Sequence, residues 1–401
     1  MAELIFQNLS FKEEKEHLKV IFYRHFSFTI PNQELEKIAP FKVKSSHQID
    51  FQCSQSRAEK KFNHLITTNI QNLKNNITQN PAVYIHKNSN IPLIGNNYFG
   101  LIYRNTSIIE VKPQTFCNLN CIYCSVSEGL SSKQTDYIVE KDYLIQEFKK
   151  LLEFVDHPVE AHIGIQGEPF LYQDLLPLIH DLHQIEKVHT LSLDTNATLL
   201  TKPIVDQLSQ YKKLRINISL NALDQKVAEK LANTTYNLKH VLNIIRYAAK
   251  KINILIAPLL VPGYNNQEMI KIIEFVKENK IKIIGIQNFL SYKTGRNPVK
   301  ALSWDQFTDL LKDLEKKTKT RLILNLKEDF DIQETKPLPK PFQKDQIIKA
   351  KIIAPGRFPH SQLAVAQDRN ITIINCSEKT NKEVKVKIIR NKHNIFFAKK
   401  I

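Results

Sequence analysis

The sequence predicts an α/β chain: a partial, TIM-like (β/α)6 barrel with an N-terminal accessory region before it and a small OB-like β-barrel after it. Three observations predict this. From about residue 100, short Ile/Leu/Val-rich runs alternate six times with segments of helical apolar spacing. The proline-rich stretch "KPLPKPF" (336–342) then breaks the pattern as a semi-rigid linker. Beyond it, five short and mostly alternating runs fall within sixty residues. The expected division is 1–100, 101–335 and 343–401.

Residues 1 to about 90 carry no motif; "FYRHFSFTIP" (22–31) alternates like a strand and the polar segment 56–76 has helical character. The regular series begins with strand "SIIEV" (107–111), which runs into a cysteine-bearing loop, and helix 141–155. Strands are expected at 160–166, 190–196, 214–220, 252–260 and 281–289, with helices at 172–185, 201–211, 238–251, 266–280 and 304–318. Ser303 and Gln306 form a capping-box start for the last of these. Near-continuous apolar strands imply a parallel sheet, and six units imply an open barrel rather than a closed one. Ligands in such folds meet the C-terminal strand ends. Polar or glycine-containing clusters fall there: the cysteine loop, "QGEP" (166–169), "DTN" (194–196), "SLN" (219–221), "VPGYN" (261–265) and "QNF" (287–289). The five C-terminal runs (346–354, 361–367, 370–376, 382–390, 394–400) suggest a small OB-like barrel, with Cys376 a buried small hydrophobe.

Of 401 residues, 42% are apolar and 24% charged, the proportions of a soluble globular protein. No apolar run approaches the roughly 20 residues of a membrane span, and the start lacks the layout of a secretory signal. A cytoplasmic location without a membrane partner is expected, so the five cysteines should stay reduced. The net charge of +17 is uneven: residues 342–401 hold thirteen Lys or Arg against four Asp or Glu. A basic C-terminal domain points to nucleic acid, against a background of general basicity. Glycine is scarce, nine residues in all, so Gly129, Gly164, Gly167, Gly263 and Gly285 mark backbone that needs positive φ or close approach.

Cys117, Cys121 and Cys124 lie within "FCNLNCIYCSVSEG", while Cys53 and Cys376 are remote. Structural zinc normally brings a second ligand pair at comparable spacing, and none follows; His162 is the one candidate fourth ligand, more at home packed beside the sheet. Three thiolates in C-x3-C-x2-C suit a [4Fe–4S] cluster with one iron left open. An open iron can chelate an amine and a carboxylate together, which S-adenosylmethionine (SAM) offers. Reductive cleavage of the bound sulfonium then gives a 5′-deoxyadenosyl radical able to abstract hydrogen.

With Tyr123 before the last cysteine and the loop at the end of the first barrel strand, the chain resembles the radical SAM superfamily. The resemblance implies Cys117, Cys121 and Cys124 as cluster ligands and SAM contacts from Tyr123, Gln166, Gly167, Glu168, Asn196, Ser219, Asn221 and Pro262. Gln166 stands where the family's "Gly-Gly-Glu" segment has its first glycine. The basic C-terminal module resembles the TRAM domain, whose lysines contact phosphate and whose exposed aromatics, Phe358 here, stack on bases. Methylthio-transferring and wybutosine-pathway enzymes share this layout but carry a second cluster that needs about three more cysteines. "EVKPQTFCNLNCIYCSVSEG", "GIQGEP" and "IAPLLVPGYN" resemble the archaeosine-forming lyases of archaea. That resemblance implies tRNA as substrate, a partner synthase that attaches lysine to 7-cyano-7-deazaguanine, a low-potential electron donor, and carbon–nitrogen cleavage releasing the formamidine. Another single-cluster tRNA modification (methylation or thiolation) and a non-catalytic Fe–S RNA-binding module are the alternatives. Gln287 is only a positional candidate on the substrate side.

Overall fold

The structure, a computed structural model, describes residues 1–401. Its central sheet has seven strands: β1 (Gly100–Tyr103), β2 (Ile108–Lys112), β3 (Val159–Ile163), β4 (Val188–Thr195), β5 (Leu214–Ile218), β6 (Asn253–Ile256) and β7 (Ile283–Ile284). Strands β2 to β7 are parallel and neighbours in chain order, and β1 pairs antiparallel with β2 at the edge. Seven helices accompany them: α1 (Lys141–Phe154), α2 (Leu175–His183), α3 (Lys202–Leu208), α4 (Gln225–Ala232), α5 (Leu238–Ala248), α6 (Glu268–Glu278) and α7 (Trp304–Thr318).

Helix α4 is absent from the expected series. Its eight residues bury only Ala228, Leu231 and Ala232, too small an apolar face to stand out, and Asp224 fixes its start by accepting from the Lys226 and Val227 amides. The expected strand 160–166 stops at Ile163 because Gly164, Ile165 and Gly167 all take positive φ (150°, 69° and 65°). Strands β6 and β7 pause together and resume as Leu259–Leu260 paired with Gln287–Asn288, around Pro258, which has no amide to donate.

The strands are also less uniformly apolar than the near-continuous runs suggested. In register across the sheet, Glu110 faces His162, His162 faces Ser192 and Ser192 faces Arg215. This polar row is largely paired: Arg215 and the Ser192 hydroxyl both reach Glu160 Oε1, at 2.9 and 2.5 Å, and Lys112 and Arg104 hold Glu110, while Glu160 Oε2 has no hydrogen-bond partner. The alternate positions, such as Ile109, Ala161, Leu193 and Ile216, are buried apolar core.

In the N-terminal region the expected strand 22–31 forms over Phe26–Pro31, its first residues being the turn of a hairpin: strands His17–Phe22 and Phe26–Pro31 pair across Tyr23 and Arg24, both at positive φ. The polar helix runs Gln55–Asn69 and then tightens into a single 3₁₀ turn. This region shares one apolar core of 88 buried residues with the central sheet.

Five strands, β8 (Ile347–Pro355), β9 (Gln362–Ala366), β10 (Arg369–Ile374), β11 (Glu383–Arg390) and β12 (Phe397–Lys400), close a C-terminal barrel in the order β8-β9-β10-β12-β11. It has its own twelve-residue core, which includes Cys376. Phe358 corrects the expectation of an exposed stacking aromatic. It is half-buried and meets Tyr98 edge-on at 5.4 Å, tying the barrel to the rest of the chain.

Candidate active site

The loop after β2 folds back on itself through close backbone contacts. Cys124 N donates to Cys121 O, and Leu130 N to Leu119 O at 3.1 Å. Gly129, at φ +106°, makes the second contact possible, because a Cβ there would lie 1.8 Å from Leu119 O. The loop caps the end of α4: Asn120 N and Ile122 N donate to the Ala232 and Leu231 carbonyls, which the helix itself leaves unpaired. From the far side Arg296 donates its amide to Cys124 O (2.9 Å) and its guanidinium to Cys121 O (2.8 Å).

The three thiols open into a cavity of about 600 Å3 at the C-terminal ends of the strands. Tyr123, Gly167, Glu168, Asn196, Ser219 and Asn221 line the same cavity, as does Gln287. Two expected residues do not. Gln166 is buried beneath it, turned toward Asn97 O at 3.5 Å, and Pro262 lies outside its wall. Glu168 accepts from Thr195 Oγ1 (2.7 Å), Asn196 N (2.8 Å) and Phe170 N (3.1 Å). Burial nevertheless pushes its pKa up to about 7, against those hydrogen bonds. Asn196 Nδ2 donates to Asn118 Oδ1 at 3.0 Å and lies 3.9 Å from Cys117 Sγ. Asn221 Nδ2 donates to Tyr123 Oη at 2.5 Å and its Oδ1 accepts from Leu259 N, so the segment after β5, braced by the segment after β6, grips the residue before the last cysteine.

Sequence reasoning missed Glu128, Tyr236, Tyr292 and Trp304, all on the cavity wall. Glu128 N donates to Cys124 Sγ at 3.3 Å, and its carboxylate accepts from Gly167 N and from Arg357 of the C-terminal barrel. Its only sequence signal is adjacency to Gly129. Trp304, the chain's single tryptophan, reads in the sequence as a helix start and nothing more.

The donor set fits an iron–sulfur cluster. Burial raises all three thiol pKa values, that of Cys121 to about 11, so only a cation can hold them together as thiolates. Amides already point at two of the sulfurs, Leu119 N at Cys117 and Glu128 N at Cys124. No group of three or more His, Cys, Asp and Glu side chains converges on a single ion. His162 is engaged on both ring nitrogens, by Ser192 Oγ at 2.6 Å and Asp194 Oδ2 at 3.1 Å, and is not available as a fourth zinc ligand.

The fold and this loop define a class. The radical SAM superfamily model matches residues 111–276, and this part of the chain is a radical SAM domain. Its cofactors are a [4Fe–4S] cluster and SAM. An uncharacterized protein of Methanocaldococcus jannaschii is 41% identical over 359 residues, covering 82% of each chain. The GTP 3′,8-cyclase of Staphylococcus carnosus is 27% identical over 55% of this chain and 61% of the cyclase; that of Limosilactobacillus fermentum is 28% identical over 44% and 52%. The chain thus spans about half to three-fifths of the length of these cyclases. Among solved structures, TYW1 with a lysine-pyruvate adduct bound has 20% identity and a TM-score of 0.41, covering 59% of this chain and 80% of that one. Streptococcus suis SuiB bound to S-adenosylmethionine has 16% identity and a TM-score of 0.42, covering 80% and 72%. No helix is long and apolar enough to cross a membrane.

Proposed function

We propose that this radical SAM enzyme modifies tRNA, cleaving a carbon–nitrogen bond of lysine-linked 7-deazaguanine in the D-loop to give archaeosine. In this reading the six parallel strands are a partial barrel within residues 101–335, residues 1–100 are accessory, and residues 343–401 are a TRAM-like RNA-binding module. Cys117, Cys121 and Cys124 hold three irons of the cluster, and SAM occupies the adjacent strand ends. Together the cluster and SAM supply a carbon-centred radical that abstracts hydrogen.

The protein's own groups do the positioning. Glu168, whose Oε1 already holds Thr195 Oγ1 and Phe170 N, offers Oε2, bonded to Asn196 N alone, to the SAM amine, with the Gly167 backbone beside it. Asn196, Ser219 and Asn221 present amide and hydroxyl groups to ribose and carboxylate, and Tyr123 walls the pocket under the Asn221 clamp. A lysine-attaching synthase prepares the substrate, and a low-potential donor reduces the cluster.

One observation carries the choice of substrate. The cavity wall contains no Lys, Arg or His, although the chain as a whole bears +17. A free nucleoside triphosphate would bring its phosphates into a wall with no cation, which argues against the reaction named for the GTP 3′,8-cyclases. A base swung out of RNA can enter while its phosphates stay outside. Cationic surface is available elsewhere: on the C-terminal barrel Lys385 lies opposite Lys349 and Lys399 opposite Lys387 across neighbouring strands, and while Lys349 and Lys387 pair with Glu383 and Asp345, Lys385 and Lys399 have no carboxylate partner and are left for an RNA backbone.

Mass spectrometry of nucleosides from tRNA carrying lysine-linked deazaguanine, before and after anaerobic incubation with reconstituted protein, SAM and dithionite, tests the reading. Conversion to archaeosine with matching 5′-deoxyadenosine supports it. Formation of 5′-deoxyadenosine with that tRNA unchanged would favour another tRNA modification, and no 5′-deoxyadenosine would favour a binding module.

A further inference from the structure

Trp304 and Tyr292, 63% and 48% exposed, stand on the wall of the cysteine-lined cavity. The buried rings of Phe289 and Phe307 line the same wall, and Trp304 meets Phe307 edge-on with centroids 6.1 Å apart. Nothing in the helix requires an aromatic at this point, since the Ser303–Gln306 capping box already satisfies the start of α7. Two large rings left in water at one rim mark a surface that awaits an apolar, planar ligand.

This rim is fastened to the cysteine loop. Gly295 approaches Ser125 so closely that a Cβ would lie 2.8 Å from its carbonyl oxygen, and Arg296 bonds the Cys121 and Cys124 carbonyls. Asn297 fixes the backbone of Tyr292 reciprocally: Tyr292 N donates to Asn297 Oδ1 at 3.1 Å, and Asn297 Nδ2 to Tyr292 O at 2.9 Å. The turn bearing Tyr292 is therefore anchored beside the thiols, and Asn288 of the same wall donates to Leu302 O at 3.2 Å, just before the helix that carries Trp304.

We propose that Trp304 and Tyr292 form a stacking subsite for the nucleobase of the RNA substrate; this rests on the RNA-modifying reading above. A flat heteroaromatic ring offers π-faces to both side chains, and the wall around them, free of cationic side chains, admits the base and leaves phosphate at the mouth.

The test uses anaerobically reconstituted holoprotein with SAM and guanosine as the probe. Trp304 is the only tryptophan, so intrinsic emission reports from the rim itself. Guanosine is expected to quench it, ribose is not, and GTP should bind more weakly than guanosine. By equilibrium dialysis, Trp304→Ala and Tyr292→Ala should each weaken guanosine binding about tenfold or more, while Trp304→Phe retains most of it. Both positions are exposed, and thermal melting checks that the variants fold. Unchanged guanosine affinity in both alanine variants, or ribose quenching as well as guanosine, overturns the proposal. The two readings fail separately. Guanosine stacking beside inert tRNA removes the RNA reaction and keeps the subsite, whereas wild-type tRNA turnover by Trp304→Ala removes the subsite and keeps the reaction.

Discussion

Arg357 Nη2 lies 3.0 Å from Glu128 Oε1, and the two side chains are 1% and 2% exposed. The guanidinium belongs to the C-terminal barrel, in the loop after β8, and the carboxylate to the end of the cysteine loop. Arg357 also reaches Asp136 Oδ1 (3.1 Å) and Thr115 Oγ1 (3.0 Å), while Asp136 Oδ2 accepts from Asn75 and Thr78 of the N-terminal region. One buried cation therefore joins three parts of the chain around the site. Without it, Glu128 and Asp136 would be buried carboxylates with no cation between them, and burial already pushes the Glu128 pKa up to about 8.

Replacing Arg357 by Gln should therefore cost on the order of 3–5 kcal/mol of stability, the range for breaking one partner of a buried pair. It should also loosen the cysteine loop, because Glu128 then loses its grip on Gly167 N. Thermal melting and hydrogen exchange of residues 117–130 check this. A variant with wild-type melting and wild-type protection would show the pair to be dispensable.

On the proposed tRNA-modifying reading, Cys121→Ala should abolish 5′-deoxyadenosine formation while leaving tRNA affinity within about twofold. The thiol faces the cavity, and the basic barrel has a separate core. Anaerobic assay and filter binding measure the two. Loss of both together would mean that the cluster is a structural element.

The alternation of apolar runs with helices made the parallel sheet legible, since each strand needs a continuous core face. The three thiols were legible because soft ligands for one cluster must share one loop. Less visible were features that depend on contact across the chain. Gln166 and Gly167 are adjacent in sequence, yet one lies under the cavity and the other on its wall, a separation set by the positive φ of Ile165 and Gly167. Arg357 lies 229 positions from Glu128, and no local pattern announces a partner at that distance. Phe358 follows a polar, turn-like local sequence and was expected to be exposed; packing of the barrel against Tyr98 overrides that.

Two glycines at positive φ should respond very differently to alanine. At Gly129 a Cβ would overlap Leu119 O at 1.8 Å, so the chain reversal of the cysteine loop must open. At Gly263, φ +81°, a Cβ meets nothing within 4 Å and adds only backbone strain of about 1–3 kcal/mol. Gly129→Ala should thus lose most of its iron on reconstitution, and Gly263→Ala should retain it. Equal iron contents would remove the assigned role of the loop closure.

His162 should make the protein lose stability as pH rises. Ser192 Oγ gives its only proton to Glu160, so it accepts from His162 Nδ1, and Nε2 donates to Asp194 at 3.1 Å; both ring nitrogens therefore carry protons. Burial opposes that charge, but Asp194, followed by Glu160 and Glu110, outweighs it and raises the pKa above the ordinary 6.5, while His162 and its neighbours hold Asp194 below its ordinary value. A raised histidine pKa stabilises the fold fully below about 6.5, and the contribution is lost as pH rises through the folded value. The Asp194 share is present above the ordinary carboxylate range and disappears only in acid. Between pH 6 and 8.5 the melting temperature of the wild type should therefore fall relative to His162→Gln, whose neutral amide does not titrate. A melting difference that stays flat across this window would mean that His162 is neutral and that Asp194 takes its compensation from Asn217 and Arg215 instead.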